Sequence, residues 1–338
     1  MDCGAIAAAI LALSSQTGET YECADSEAGL AVARDRASAE HFLQAMETGQ
    51  QAFIHHFDRT PAPAAIVHGN AARNSLTPAL EAAGFGRVLP WIDVAEEAEQ
   101  QRLRIRAQIE AQAAGLPDAQ IDAMVARAQA GRADEITAID PEIERAAIAH
   151  ELGHLWYIDN FWPIENHGAA HYGGQAPDWL DEMAGVALET GALLDDRRAQ
   201  LRDSDGQTPL PLEEFLRIEH PLATLAAAIA ERTEMMSGGT SSDAAPEGGM
   251  RMIRLSGADA EALMAEASID PGSYYVMARG FLDYLTDRAG AAPLAEISTA
   301  LGNEIDFETW LAIEGARHGL PTSLDALNAD WETWLASR

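Results

Sequence analysis

The sequence predicts an α+β fold that is predominantly helical, with a small mixed sheet and a helical C-terminal lobe. Long alanine-rich segments place apolar residues at helical spacing. Only two short apolar runs have the length and composition of strands. With 338 residues, the chain can form a large core divided over two or three lobes.

The N-terminal part of the chain is predicted to be helical. Residues 4–13 form an apolar run that is too short to span a bilayer, and it is either a first helix or the remainder of a trimmed leader. Residues 26–57 carry apolar side chains at approximate helical spacing and predict one or two amphipathic helices. We therefore expect an N-terminal helical segment at 1–60.

The two predicted strands lie at residues 64–68 and 87–94, on either side of a short helix predicted at 77–84. Pro90 cannot donate a hydrogen bond to a neighbouring strand, so the second strand is expected at an edge of the sheet. An exposed edge strand can hold an extended peptide through main-chain hydrogen bonds.

The remaining composition predicts how the rest of the chain is organised. A central domain is expected at 61–236, with a charged helical insertion at about 95–135. The Gly- and Ser-rich residues 237–249 predict a mobile loop. A helical C-terminal lobe is expected at 250–338.

The composition is strongly acidic. Asp and Glu number 54 against 22 Lys and Arg, which gives a formal net charge of -32. This charge argues against binding to nucleic acid or to an anionic membrane surface, and it favours a soluble protein. No stretch is long and apolar enough to predict a membrane span. An exported or periplasmic location is favoured.

The sequence contains two cysteines, Cys3 and Cys23. It therefore offers neither a cysteine zinc site nor a C-x-x-C redox motif. The two residues either form one disulfide that fixes the N-terminus or are two unrelated thiols.

The residue pattern with the most specific chemistry is the H-E-x-x-H motif at residues 150–154. Two histidines four residues apart on a helix lie on one face, where their imidazoles can occupy adjacent corners of a tetrahedral zinc site. Glu151 lies one step round the helix, close enough to reach a metal-bound water without being a ligand. This is the position of a general base.

The residues around the motif predict a helix that buries both histidines. Asp140, Pro141 and Glu142 form a helix start, with a side-chain acceptor, a proline and an acid in the first turn. One stripe at helical spacing consists of Ile143, Ala147, His150, His154 and Ile158. Two unpaired buried imidazoles would be costly, and a metal ion removes that cost.

Two histidines do not complete a zinc site, so another ligand is needed. In a metzincin this ligand would be a histidine ten residues after His150, with a glycine three residues before it. Those positions hold Asn160 and Tyr157, which excludes that class. The remaining candidates are Glu182, His167 and His171.

Two segments of the chain carry a resemblance to a known family. After the motif A-H-E-L-G-H, residues 177–184 read P-D-W-L-D-E-M-A. Together they resemble the gluzincin branch of the zincin metallopeptidases, the peptidase MA families in which a W-L-x-E-G-x-A helix gives the third ligand. Met183 stands where those families usually have Gly, and the glutamate remains in register. Residues 274–285 and 327–335 are similar to the family's tyrosine-led helix and to its usual tail.

The resemblance implies a zincin-like catalytic domain at 61–236, with an active-site helix and one Zn²⁺ per chain. The implied zinc ligands are His150, His154 and Glu182. It also implies Glu151 as general base and a tyrosine or histidine that donates to the developing oxyanion. Tyr275 aligns best with that donor and Tyr274 second; the alternative is that both tyrosines pack in a C-terminal helix.

Two loop histidines, His167 and His171, have three interpretations. They donate to the oxyanion, bind a second metal or are ordinary loop residues, and we favour the last. The G-x-M-E-N motif with which gluzincin aminopeptidases bind a free amino terminus does not occur in the sequence. Exopeptidase action of that kind is therefore disfavoured.

The sequence as a whole predicts zinc-dependent hydrolysis of peptide bonds in a peptide or protein substrate, without a covalent intermediate. One alternative is a non-catalytic protein that keeps zinc for stability and binds a partner, but the presence of Glu151 argues against it. Another is a zinc hydrolase that acts on a non-peptide amide or ester, for which the same residues would serve.

Overall fold

The computed structural model of the protein describes residues 2–112, 116–130, 139–162, 176–203, 210–221 and 270–338. Within these ranges the chain is mostly helical and contains one four-stranded sheet, which confirms the predicted α+β class. The predicted loop at 237–249 and the loop histidines His167 and His171 lie outside the described residues.

The described α-helices are numbered here in chain order. They are α1 (Ala7–Thr17), α2 (Arg36–Phe57), α3 (Asn70–Ala82), α4 (Val94–Gln112), α5 (Asp118–Ala130), α6 (Pro141–Phe161), α7 (Asp178–Ala187), α8 (Gly191–Asp203), α9 (Leu212–Phe215), α10 (Pro271–Ala289), α11 (Ala292–Gly302), α12 (Phe307–Glu314) and α13 (Leu324–Leu335). Short 3-10 helices at Cys3–Ile6 and Gly315–His318 precede α1 and follow α12. Among the helices described, none has the length and apolar character that a membrane crossing requires.

The sheet is mixed and has the strand order β1-β2-β3-β4. Its strands are β1 (Glu22–Ser26), β2 (Gly29–Ala33), β3 (Ala64–His68) and β4 (Val88–Trp91). The first pair is antiparallel and the other two pairs are parallel. The predicted strand at 64–68 is confirmed, and so is the edge position of the strand that contains Pro90.

The prediction of helix from residue 26 onward is wrong for the first part of that segment. β1 and β2 form a hairpin there, and α2 begins only at Arg36. All five residues of β2 are buried. A strand that is buried on both faces shows no alternation of polar and apolar residues, so the sequence pattern did not separate it from a buried helix. Segment 1–60 is therefore not helical throughout.

The chain divides into two compact units. Unit 1 comprises Met1–Leu43 and Ala64–Glu144, and unit 2 comprises Gln44–Pro63 and Arg145–Arg338. In unit 1, one face of the sheet packs in a core with α1 and α3. The strand residues in that core are Leu30, Val32, Ala65 and Val67.

The regular secondary structure in the described parts of unit 2 is helical. Its α10 packs against both α7 and α8. The helices of the C-terminal lobe, α10 to α13, confirm the helical prediction for the described residues from 270 onward. The ring of Phe281 in α10 lies 6.1 Å from Trp179 of α7 and 6.0 Å from Trp331 of α13. These aromatic contacts join α7 to α10 and α10 to α13.

Cys3 and Cys23 form a disulfide, so the first of the two interpretations of the cysteines is confirmed. The bond links the first 3-10 helix to β1 within unit 1, across a sequence separation of 20 residues.

A variant that lacks both cysteines, Cys3→Ala with Cys23→Ala, should unfold more easily in unit 1. Closing a loop near 20 residues restricts the unfolded chain and stabilises the folded state by about 3 kcal/mol. Faster hydrogen exchange in the peptides of α1 and β1 is the expected result. The control is dithiothreitol, which should have this effect on the wild-type protein and none on the variant.

Candidate metal centre

The H-E-x-x-H motif lies in the middle of α6. The helix begins as the sequence predicts, because Asp140 Oδ1 accepts a hydrogen bond from the backbone N–H of Glu142 at 2.8 Å. His150 and His154 are buried, 5% and 4% exposed. Ile143 was predicted on the same buried stripe, but it is 39% exposed because the first turn of α6 lies at the surface. The helix is buried on most sides from Ala146 onward.

Two glycines allow α6 and α7 to approach each other closely. A Cβ atom at Gly153 would lie 2.6 Å from the carbonyl oxygen of Ala184. A Cβ atom at Gly185 would lie 2.8 Å from the Nε2 atoms of both His150 and His154. Neither position has room for a side chain, so the backbone of α7 lies directly against the histidine rings.

The close approach brings Glu182 of α7 to the two histidines. Its Oε1 lies 3.3 Å from His150 Nε2, and its Oε2 lies 3.9 Å from His154 Nε2. The two Nε2 atoms are 3.1 Å apart. The structure thus brings the three residues that the sequence singled out into one buried group, with ligand atoms all within 4.8 Å of one another. This group can hold a metal ion.

Each histidine is oriented by a carboxylate at its other ring nitrogen. His150 Nδ1 lies 3.0 Å from Glu189 Oε1, and His154 Nδ1 lies 3.0 Å from Asp181 Oδ2. A carboxylate at Nδ1 fixes the ring and its tautomer and leaves Nε2 as the donor to a metal. Both rings therefore turn their Nε2 atoms toward the space beside Glu182.

A further histidine, His220, contacts Glu182. It is fully buried, and its Nε2 lies 3.1 Å from Glu182 Oε2. Its backbone N–H donates to Asp178 Oδ2 at 2.6 Å, which ties its segment to the start of α7. The group whose ligand atoms all lie within 4.8 Å of one another consists of His150, His154 and Glu182, and His220 contacts it through Glu182.

Four residues around the candidate ligands were not singled out from the sequence: Asp181, Glu189, His220, and Arg197, whose Nε lies 2.8 Å from Glu189 Oε2. Asp181 is adjacent to Glu182, and Glu189 is the last residue of the helix that the sequence predicted around Glu182. The short sequence distance of Asp181 and Glu189 from Glu182 is the one feature of the sequence that could have indicated their place at the site. His220 and Arg197 reach the site through the packing of separate segments, for which the local sequence carries no signal.

The cluster has an excess of buried negative charge. The carboxylates of Asp181, Glu182 and Glu189 are at most 2% exposed, and Arg197 is the cation paired with them, through Glu189. If the imidazoles are neutral, these three carboxylates and one guanidinium of the described residues carry two net negative charges. A divalent cation would balance them.

The pKa shifts show the same preference for a cation. Burial raises the pKa of the Glu182 carboxyl, but the neighbouring imidazoles, His150 first, outweigh it and lower this pKa to about 2. Burial lowers the pKa of His154, but Asp181 outweighs it and raises this pKa to about 10. The lowered pKa of Glu182 favours the carboxylate, and the raised pKa of His154 favours the imidazolium. Both shifts therefore favour positive charge next to these carboxylates.

The Glu182 carboxylate fits the role of a metal ligand. Both of its oxygens are buried, and within the described ranges neither has a partner with hydrogen-bond geometry, although imidazole nitrogens lie nearby. An ionised carboxylate in the interior is costly unless it is paired or coordinates a metal. A cation between Glu182 and the two Nε2 atoms would meet this requirement.

The predicted catalytic residues lie around the group. Glu151 is half-buried, and its charge contributes to the raised pKa of His154. The Tyr275 ring is 5.8 Å from the ring of His150. Tyr274 is fully buried, with its ring 4.7 Å from that of His220. The roles of Glu151 and the two tyrosines stay predictions.

Comparison of the chain with protein-family models, with curated proteins and with solved structures finds no match.

We expect Gly185→Ala to weaken metal binding by the group of His150, His154 and Glu182, called the metal group below. The added Cβ must push the histidine rings or α7 away, because it would lie 2.8 Å from both Nε2 atoms. We expect metal affinity, measured by competition with a chelator, to fall roughly 10- to 100-fold. The matched control is Gly86→Ala, where a Cβ meets no atom within 4 Å. Equal metal affinity in the two variants would contradict the close approach.

Proposed function

We propose that this protein is a zinc metallopeptidase of gluzincin type, in which Glu151 is the general base for peptide-bond hydrolysis. The observation that carries the proposal is the buried group of His150, His154 and Glu182, which offers three ligands. Catalytic zinc sites have three protein ligands and keep the fourth position open, whereas structural sites are closed by four. Glu151 follows the first ligand on α6 and is outside the ligand group.

Two imidazoles and one carboxylate form a donor set that suits zinc. When bound, zinc would polarise a substrate carbonyl and lower the pKa of water toward neutrality. The same donor types also hold iron in oxygenases. Glu151 favours hydrolysis over oxygen chemistry, because a base beside the first ligand has a role only where a proton must be moved.

In this mechanism the residues of the site would bind the metal, orient its ligands and transfer a proton. His150, His154 and Glu182 would hold the ion. Glu189 accepts the Nδ1–H of His150, and Asp181 Oδ2 lies 3.0 Å from His154 Nδ1. A carboxylate beside each Nδ1 keeps each Nε2 lone pair directed at the site. Glu151 would accept the proton of the attacking water and return it to the leaving amine.

Tyr275 would donate its hydroxyl hydrogen to the developing oxyanion. Support for this choice over Tyr274 comes from its place beside His150, with the ring half-buried. Tyr274 is instead enclosed by Phe215 and His220, at ring distances of 5.0 and 4.7 Å. Burial raises the pKa of its phenol.

The metal ligands can be tested by replacing Glu182 with alanine. The wild-type protein should contain one zinc per chain by mass spectrometry, and Glu182→Ala should lose it or bind it far more weakly. The control is Glu296→Ala, which removes an exposed carboxylate paired with Arg317 and should keep the zinc. Zinc bound as tightly to Glu182→Ala, or iron in its place, would overturn this assignment.

The base can be tested separately with Glu151→Gln, which keeps the shape of the side chain and removes its basicity. This variant should bind zinc normally and hydrolyse a peptide library about 10²- to 10⁴-fold more slowly. Glu142→Gln, in the exposed first turn of the same helix, is the matched control. Unchanged turnover in Glu151→Gln would reject the mechanism. Ester or amide substrates cleaved in preference to peptides would assign the site to a different hydrolase class.

A further inference from the structure

We propose that Arg197 is a positioning residue that fixes the metal ligand His150 and the proposed oxyanion donor Tyr275 relative to each other. The part that concerns Tyr275 in catalysis rests on the proposed function. The part that concerns His150 rests on the metal group alone. Arg197 has no role in the mechanism described so far, and the sequence did not single it out.

Arg197 reaches His150 through Glu189. Its side chain extends from α8 and is 13% exposed, and its Nε lies 2.9 and 2.8 Å from the two carboxylate oxygens of Glu189. Glu189 Oε1 in turn lies 3.0 Å from His150 Nδ1. The guanidinium thus holds the carboxylate that orients the ligand, and it balances that carboxylate's charge in the interior.

Arg197 also lies over the ring of Tyr275. Its guanidinium carbon is 4.5 Å from the ring centroid, within the distance of a cation–π contact. The Tyr275 ring meets the His150 ring nearly edge-on, at 5.8 Å and 69°. His150, Glu189, Arg197 and Tyr275 therefore form a closed circuit in which each side chain contacts the next. A shift of the guanidinium displaces both the ligand and the tyrosine.

The two roles of Arg197 depend on different properties of the side chain. Contact with Glu189 requires a positive charge, which lysine also provides. Contact with the Tyr275 face uses the flat guanidinium, which lysine lacks. Arg197→Lys and Arg197→Met should therefore separate the effect on His150 from the effect on Tyr275.

The chain offers a matched control in the next residue of α8. Arg198 is 40% exposed and forms its ion pair with Asp283, at 2.7 Å. Within the described residues, its hydrogen bonds and its ion pair go to Asp283, which is outside the circuit. Arg198→Met removes the same charge from the same helix without touching the circuit.

The experiment measures zinc affinity by competition with a chromophoric chelator, and kcat and KM on a cleaved peptide. Arg197→Met should lose zinc affinity roughly 10- to 100-fold, as expected when the Glu189 carboxylate that orients His150 is no longer held in place. Arg197→Lys should keep zinc affinity within about threefold of the wild-type value and lower kcat with little change in KM. Arg198→Met should change neither. The visible spectrum of the Co²⁺-loaded protein should change in Arg197→Met and not in Arg198→Met.

The contact between Arg197 and Tyr275 can be tested by thermal unfolding, without an activity assay. In a double-mutant cycle, the losses of melting temperature in Arg197→Met and Tyr275→Ala should be less than additive when the changes are combined. Additive losses would overturn the contact. Zinc bound as tightly by Arg197→Met as by the wild-type protein, with the same Co²⁺ spectrum, would overturn the role toward His150.

The design keeps the two proposals distinguishable. If the wild-type protein cleaves no peptide, the proposed function fails, and zinc affinity, the Co²⁺ spectrum and the thermal cycle still decide the proposal on Arg197. If Arg197→Met does not fold, Glu189→Gln replaces it, because glutamine keeps an acceptor near His150 and removes the charge that Arg197 pairs with. Full zinc affinity in Glu189→Gln would then count against the proposal.

Discussion

The metal group depends on the close contact of α6 with α7. Gly153 and Gly185 leave no side chain between the two helices, and the backbone of α7 lies against the imidazoles. Glu182 lies three residues before Gly185, on the same face of α7. The close approach of the α7 backbone at Gly185 therefore also places the Glu182 carboxylate beside the histidines. The families that the sequence resembles place a glycine one residue after the ligand. Here that position is the buried Met183, and the glycine that faces the rings is Gly185.

Burial of charge is the second consequence of this contact. Because every residue of α7 after Asp178 is buried, Asp181 and Glu182 are removed from water together. Carboxylates in the interior need cations, and the imidazoles of His150 and His154 supply them only when protonated. A divalent ion and protons would therefore compete for the same nitrogens, so metal binding at this group would depend on pH and would be coupled to the folding of unit 2.

The sequence predicted features that depend on residues close together in the chain, and it missed those that depend on the packing of distant segments. The helical spacing of His150 and His154 is local, and so is the capped start of α6. Both could therefore be predicted from a few residues. Glu182 came from a resemblance of sequence, because 28 residues separate it from His154 and their approach depends on how α6 and α7 pack. Arg197 and His220 have no local signal at all, since they meet the site only through the packing of α8 and of the segment after α9.

The buried ion pair between Arg197 and Glu189 lies beside the candidate metal ligand His150, and its presence there needs a physical reason. Apolar residues of similar volume often stabilise a fold as well as a buried ion pair does, so stability alone does not account for it. Orientation does, because a charged and planar partner can hold His150 through Glu189 and Tyr275 through its face at the same time. Residues from α6, α8, α10 and the segment after α7 meet in that circuit. The position of the proposed oxyanion donor is thus tied to the ligand that would hold the metal, through contacts that do not involve the metal itself.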